Sequence, residues 1–122
     1  MKILLVDDST TMRRIQINVL AKLGSHELLE ACDGVKALEV LEKEGPVDLV
    51  ITDWNMPNMD GLTLLRAIRE KYDKLPVVMI TTEAEKVKII EAIKCGVDAY
   101  VVKPFTPQVR SEKLEPFLKG AA

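Results

Sequence analysis

Apolar residues along the chain alternate between two kinds of run. Short continuous blocks, Lys2-Ile3-Leu4-Leu5-Val6, Leu49-Val50-Ile51, Val77-Val78-Met79-Ile80 and Tyr100-Val101-Val102, have the pattern of strands covered on both faces, as inside a parallel sheet. Between them, apolar residues recur every three or four positions, which is the stripe of an amphipathic helix. The pattern predicts strands over 2–6, 27–31, 47–52, 76–80 and 98–102, and helices over 10–23, 34–43, 61–71, 84–95 and 107–118. The expected inner stripes are Met12, Ile15, Val19, Leu20 and Leu23 in the first helix, then Val35, Leu38 and Leu41 in the second. The third shows Leu62, Leu65, Ala67, Ile68 and Tyr72, and the fourth Val87, Ile90, Ala92 and Ile93. In the fifth, Val109, Leu114, Phe117 and Leu118 face inward, with Arg110 at the boundary, its stem on the surface and its charge in water.

Turn residues fall between these runs. Ser9 or Asp8 caps the first helix and Gly24 stops it, Asp33-Gly34 opens the second unit, and Gly45-Pro46 closes it. Thr106-Pro107 reads as a cap followed by proline in the first helical position. Regular strand–helix alternation with short connections predicts an α/β fold, a parallel sheet with helices on both faces. No linker, repeat or low-complexity segment interrupts it, so one domain is expected over 1–122.

Composition agrees: 48% of residues are hydrophobic and 30% charged, a globular balance. The formal net charge of -2 argues against nucleic acid or an anionic membrane as partner. The first apolar block ends in two aspartates and does not read as a signal peptide, and no run reaches the ~20 residues that span a bilayer. A cytoplasmic protein is expected. Cys32 and Cys95 are the two cysteines, without a C-x-x-C, and are expected as free, partly buried thiols rather than a disulfide or redox pair. His26 lies in a Gly24-Ser25-His26-Glu27 loop and is expected to be solvated.

The chemistry gathers at strand ends. The first strand breaks into Asp7-Asp8, the third into Asp53, and the fifth into Lys103-Pro104. In open parallel sheets ligands bind beyond the carboxyl ends of the strands. Three carboxylates and one ammonium therefore converge on one crevice, where the acids call for a hard cation and the lysine for an anion, together Mg²⁺ and a phosphoryl group. Each residue also has a plainer reading. Asp7-Asp8 suits a helix N-terminus, Asp53 starts a turn-rich stretch, Thr81 is an ordinary strand-end hydroxyl, Lys103 is a solvated lysine, and Tyr100 is a half-buried aromatic. Their coincidence in one crevice favours the phosphoryl reading, with Asp53 as covalent acceptor and Lys103 and Thr81 facing the phosphoryl oxygens.

Asp7-Asp8, Asp53, Thr81 and Lys103-Pro104-Phe105 resemble, in order and spacing, the marks of the receiver domains of two-component response regulators, and the likeness covers essentially the whole chain. The stretches Asp53-Trp54-Asn55-Met56-Pro57-Asn58-Met59-Asp60-Gly61, Tyr100-Val101-Val102-Lys103-Pro104-Phe105-Thr106 and Met12-Arg13-Arg14-Ile15 after Asp8 look like those of receivers that act in chemotaxis. The resemblance implies a doubly wound, flavodoxin-like sheet of five parallel strands in the order 2-1-3-4-5 flanked by five helices. It implies Asp53 as the phospho-acceptor, served by a histidine kinase or a small phosphodonor. Mg²⁺ would be held by Asp8, Asp53 and the Asn55 backbone carbonyl, with Asp7 acting through water. Lys103 and Thr81 would touch the phosphoryl group, and the Lys103-Pro104 bond would be cis. Asn55 and Glu83 would tune dephosphorylation. Thr81 and Tyr100 would form the switch, Tyr100 turning inward as Thr81 is drawn to the phosphoryl group. The readout surface would be 84–118, given a basic tint by Lys86, Lys88, Lys94, Arg110 and Lys113, charges that a solvated helix face explains equally well. Trp54 would pack loosely at the site rim or touch the kinase or a phosphatase.

A monomeric phospho-switch is expected, its output by contact with a flagellar switch protein or another protein. It would be no enzyme beyond its own phosphorylation and dephosphorylation. One rival is a phosphorelay intermediate passing phosphate from Asp53 to a histidine phosphotransfer protein. Another is a Mg²⁺-dependent aspartyl-phosphate hydrolase, opposed by Asn55 where such enzymes carry a second acid. A third, a flavin-binding module, is opposed by the acidic crevice.

Overall fold

The computed structural model describes residues 2–24, 26–45 and 47–102. Its elements run β1 (Lys2–Val6), α1 (Thr10–Leu23), β2 (Glu27–Ala31), α2 (Gly34–Glu44), β3 (Leu49–Thr52), α3 (Gly61–Lys71), β4 (Val77–Thr81), α4 (Lys86–Lys94) and β5 (Ala99–Val102). All pairings are parallel and the strand order is β2-β1-β3-β4-β5, as expected. Four helices lie among the described residues. The fifth, expected over 107–118, falls outside them, as do Lys103, Pro104, Arg110 and the side chain of Leu23.

Alternation along each strand divides the core in two. Leu4, Val6, Val50, Val77 and Met79 pack with α2 and α3 through Ala37, Leu41, Leu62, Leu65 and Ile68, and with Ala92 of α4. Ile3, Leu5, Leu49, Ile51, Val78, Ile80 and Val101 face the other way, onto Leu20 and Ile17 of α1. Strands buried on both faces thus account for the unbroken apolar runs. The edge strand β2, with a mixed exposure pattern, shows no such run.

Three helices start on side-chain caps. Ser9 accepts from the Met12 amide at 3.2 Å, Asp33 from Lys36 at 2.8 Å and Asp60 from Thr63 at 2.8 Å, each satisfying an amide that the helix leaves open. The Lys36 amide, then the Asn58 side chain at 2.8 Å, hold the Asp33 carboxyl below its usual range.

Several expectations are corrected. The sequence stripe of α4 assigns Val87, Ile90 and Ile93 to the core, but they are 67%, 41% and 60% exposed. The helix instead presents Ala92 to the sheet, because a small residue permits close approach there. Helix α4 also begins two residues later than predicted, at Lys86. Strand β3 begins at Leu49 rather than 47, and Asp48 just before it is tied to Lys2 by two bonds of 2.7 Å. In α1, buried Gln16 and half-buried Ile17 join the inner face, and in α3 buried Leu64 replaces half-buried Ala67. Cys32 is exposed rather than partly buried, and Cys95 is half-buried; both are free. His26 is half-buried rather than solvated, and burial pushes its imidazole below the ordinary value.

Arg69 of α3 joins the loops at the far end of the sheet. Its guanidinium donates to the carbonyls of Tyr72, Leu75 and Gly96 and pairs with Asp98 at 2.8 Å. Asp98 also accepts from the Val77 amide at 2.7 Å, so one side chain ties α3 to the starts of β4 and β5. Gly96, at φ +95, takes the left-handed conformation that glycine tolerates. A cavity of about 360 Å³, lined by Leu41, Val47, Asp48, Tyr72 and Leu75 among others, opens near the start of β3 and includes none of the predicted site residues. Among the described residues no helix is long and apolar enough to cross a membrane.

Candidate functional site

Strand register assembles the acidic crevice. Val6 of β1 is paired with Thr52 of β3, so the residues that follow, Asp7 and Asp53, emerge side by side. The Asp7 amide donates to the Ala31 carbonyl at 3.1 Å and the Asp53 amide to the Val6 carbonyl at 3.0 Å, which extends the ladder to the acids themselves. One carboxylate oxygen from each of Asp7, Asp8 and Asp53 lies within 4.8 Å of the others. Asp7 is buried, Asp53 half-buried and Asp8 exposed, a gradient from the sheet to the mouth. Asp7 accepts from the Ser9 amide at 2.9 Å, and the Asp7 carbonyl accepts from Arg13. Arg13 also pairs with Glu30 at 3.0 Å. It thereby supports the acidic turn from α1, a part sequence reasoning did not assign to it.

The Asp53 backbone is held on the α3 side. Gly61 donates its amide to the Trp54 carbonyl at 2.8 Å. A Cβ at Gly61 would lie 2.1 Å from the Asp53 carbonyl oxygen and 2.8 Å from the Trp54 Cα, so only glycine fits. The Thr52 hydroxyl donates to the same Asp53 carbonyl at 2.9 Å. The Trp54 amide donates to the Asp53 carboxylate at 2.7 Å. Trp54 itself is 6% exposed and part of the core. This corrects the expectation of a loosely packed rim residue: Trp54 lies two residues beyond the fully buried strand β3 and packs in the same cluster as Val50.

On the other side, the loop after β4 folds back onto the crevice. Thr81 is the last residue of β4 and fully buried, and its hydroxyl accepts from the Glu83 amide at 3.2 Å. The Glu83 carboxylate accepts from the Asn55 side chain at 2.9 Å and pairs with Lys88 at 3.1 Å. These two partners, Asn55 first, hold its carboxyl below the usual range. Tyr100 donates its hydroxyl to the Glu83 carbonyl at 2.7 Å. Burial, then the carboxylates of Glu83 and Asp53, push the Tyr100 hydroxyl up to about 12. Lys88 also sits over the Trp54 ring, 5.5 Å from its centroid. The structure thus brings together Asp7, Asp8 and Asp53, and links Asn55, Glu83, Thr81 and Tyr100 in one network. Lys88, placed by its sequence on a basic readout face, is drawn into that network; its spacing from Glu83 gave no signal, because Glu83 lies in the loop before α4. Lys103, which follows Val102 and hence the Thr81–Val102 pair, lies outside the described residues.

The donor set is all oxygen and strongly anionic, which fits a hard divalent cation such as Mg²⁺ and excludes soft-metal chemistry.

Comparison with known proteins agrees with this geometry. Residues 3–115 match the family described as the response regulator receiver domain. The chain is 53% identical over 120 residues to a chemotaxis protein CheY homolog of Campylobacter jejuni, covering 97% of this chain and 92% of that one. It is 55% identical over 117 residues to the chemotaxis protein CheY of Pseudomonas aeruginosa, covering 94% of each. Among solved structures, chemotaxis protein CheY4 of Vibrio cholerae superposes with a TM-score of 0.86 at 35% identity, covering 95% of this chain and 97% of that one. With its sheet order, its acidic crevice and a family match across most of its length, the chain belongs to the response regulator receiver domains.

Proposed function

We propose that the chain is a CheY-type, phosphorylation-dependent signalling switch whose acceptor is Asp53. The observation that carries this reading is the meeting of the Asp7, Asp8 and Asp53 carboxylates within 4.8 Å at the ends of adjacent strands. A nucleophilic carboxylate beside two further acids has its own charge, and theirs, to neutralise before an anionic donor approaches. Asp8, Asp53 and the Asn55 carbonyl would hold Mg²⁺, with Asp7 acting through water, and the ion would supply that neutralisation. Asp53 attacks the phosphorus of the donor, a new O–P bond forms, and the bond from phosphorus to the donor's leaving group breaks. Thr81 and Lys103 receive the phosphoryl oxygens.

Transfer changes the charge beside Thr81, and Thr81 is joined through Glu83 to Tyr100. The readout is by protein contact on 84–118. The exposed Val87, Ile90 and Ile93 of α4 and the 37% exposed Val102 at the end of β5 give that surface an apolar component. The relatives are named for chemotaxis; the proposed donor is a histidine kinase, the proposed target a flagellar switch protein or another output protein, and the proposed location the cytoplasm. The protein works as a switch rather than as an enzyme on other substrates.

Acetyl phosphate with and without Mg²⁺, followed by intact mass, tests this. One added phosphoryl group that requires Mg²⁺ and is lost in Asp53→Asn supports the reading. No addition, together with no response to the stable mimic beryllofluoride, overturns it.

A further inference from the structure

We infer that Lys88 is a positioning residue that neutralises Glu83 at the mouth of the Asp53 crevice and clamps the first turn of α4 to Trp54. The inference rests on the phospho-acceptor reading of Asp53 and deepens it. Four contacts converge on Glu83: Asn55 at 2.9 Å and Lys88 at 3.1 Å on its carboxylate, Tyr100 at 2.7 Å on its carbonyl, and Thr81 at 3.2 Å on its amide. The carboxylate is therefore fixed beside Asn55, two residues beyond Asp53, where it adds a fourth negative charge to a three-acid crevice.

An incoming phosphodonor is itself an anion, and like charge at a crevice mouth lowers its local concentration. Lys88 is the cation that the described structure pairs with that fourth charge. The Glu83 and Lys88 side chains are 20% and 34% exposed, so the pair is partly shielded from water and its field reaches the mouth. The same ammonium lies 5.5 Å from the Trp54 centroid, within the range of a cation–π contact. Trp54 is fixed in the core and bonded through its amide to the Asp53 carboxylate. One side chain thus joins α4, the loop after β4 and the residue following the acceptor.

The test uses the full chain and the variants Lys88→Met, Lys88→Arg, Glu83→Gln and Lys88→Met/Glu83→Gln. Methionine keeps the stem and removes the charge. The first readout is Trp54 emission without Mg²⁺ or phosphodonor, which Lys88→Met shifts and Lys88→Arg preserves. The second is the initial rate of phosphorylation by acetyl phosphate at saturating Mg²⁺. At low salt, Lys88→Met slows it by roughly two- to tenfold, and the deficit closes near 1 M salt, where charges are screened within about 3 Å. Lys88→Arg keeps the rate, and Glu83→Gln restores it in the methionine background. A purely structural role for Lys88 predicts neither the salt dependence nor that rescue.

A folded Lys88→Met protein with wild-type rate at low salt, or a double variant as slow as the single one, overturns the inference. A wild-type chain that takes up no phosphoryl group overturns the acceptor reading instead. The emission readout then decides the clamp alone, and unchanged emission in Lys88→Met overturns it.

Discussion

The Tyr100 hydroxyl donates to the backbone carbonyl of Glu83 at 2.7 Å, so β5 holds the loop that follows β4. The bond exists only while the phenol keeps its proton. In the unfolded chain Tyr100 ionises near 10, whereas in the fold it holds its proton to about 12. Its contribution to stability is complete below pH 10 and is lost as pH rises toward 12. Urea midpoints measured between pH 9 and 12 should fall less steeply in Tyr100→Phe than in the wild type. Equal slopes would show that the bond is not made in solution.

Glu83 behaves in the opposite sense. Its carboxyl is held below its ordinary value of 4.5 by Asn55, then Lys88, so its contribution is present above that pH and lost as pH falls through the lower folded value. Trp54 emission should therefore titrate below pH 4.5 together with the Glu83 carboxyl carbon followed by NMR. Asn55→Ala should move both titrations upward toward the ordinary value.

Gly61→Ala places a methyl group against the Asp53 carbonyl. Crowding of this kind costs about 1–3 kcal/mol, and the backbone must yield at Asp53. Chemical denaturation should show the loss, and amide shifts of Asp53 and Trp54 should move most. A neutral substitution would mean that α3 is free to shift away.

Arg69→Met removes the guanidinium that serves three carbonyls and Asp98. Charged hydrogen bonds are worth roughly 1.5–3 kcal/mol, and a loss of that size is expected in denaturation midpoints. Because these contacts lie at the opposite end of the sheet from the acids, phosphorylation of the folded variant should proceed at the wild-type rate.

Magnesium should stabilise the fold in proportion to its binding. At roughly one hundred times its Kd, an ion that binds only the folded state adds about 2.7 kcal/mol. Thermal melts with and without Mg²⁺ should show the increment, and Asp8→Asn should remove most of it. An increment that survives in Asp8→Asn would place the ion elsewhere.

The sequence was most informative where one local rule acts alone. The bounds of β1 follow from its apolar run and those of β2 from the turn residues that flank it, and the acids at the ends of β1 and β3 follow from where the apolar runs stop. Pairing of Val6 with Thr52 then brings Asp7 beside Asp53, a consequence of parallel order. It was least informative where distant segments decide. The apolar stripe of α4 has helical spacing whether it faces the core or the solvent, and only the position of Ala92 against the sheet shows which. The sequence singles out no role for Arg69 and places Lys88 on a basic or solvated helix face, because the partners of both lie on elements far along the chain or across a loop. Trp54 read as a rim residue, because its burial depends on the β3 end continuing inward.

The close packing of Gly61 on the Asp53 carbonyl has a mechanical meaning. Asp53 is seated in a vice with one fixed jaw: α3 is packed against its backbone with no space for even a methyl group. The opposing jaw, from Thr81 through Glu83 to Lys88, is held by side-chain bonds that can be exchanged one at a time. On the proposed function, a phosphoryl group on Asp53 would meet a fixed backbone on the α3 side and exchangeable side-chain bonds on the β4 side, so the expected route of displacement runs from Thr81 through Glu83 toward α4.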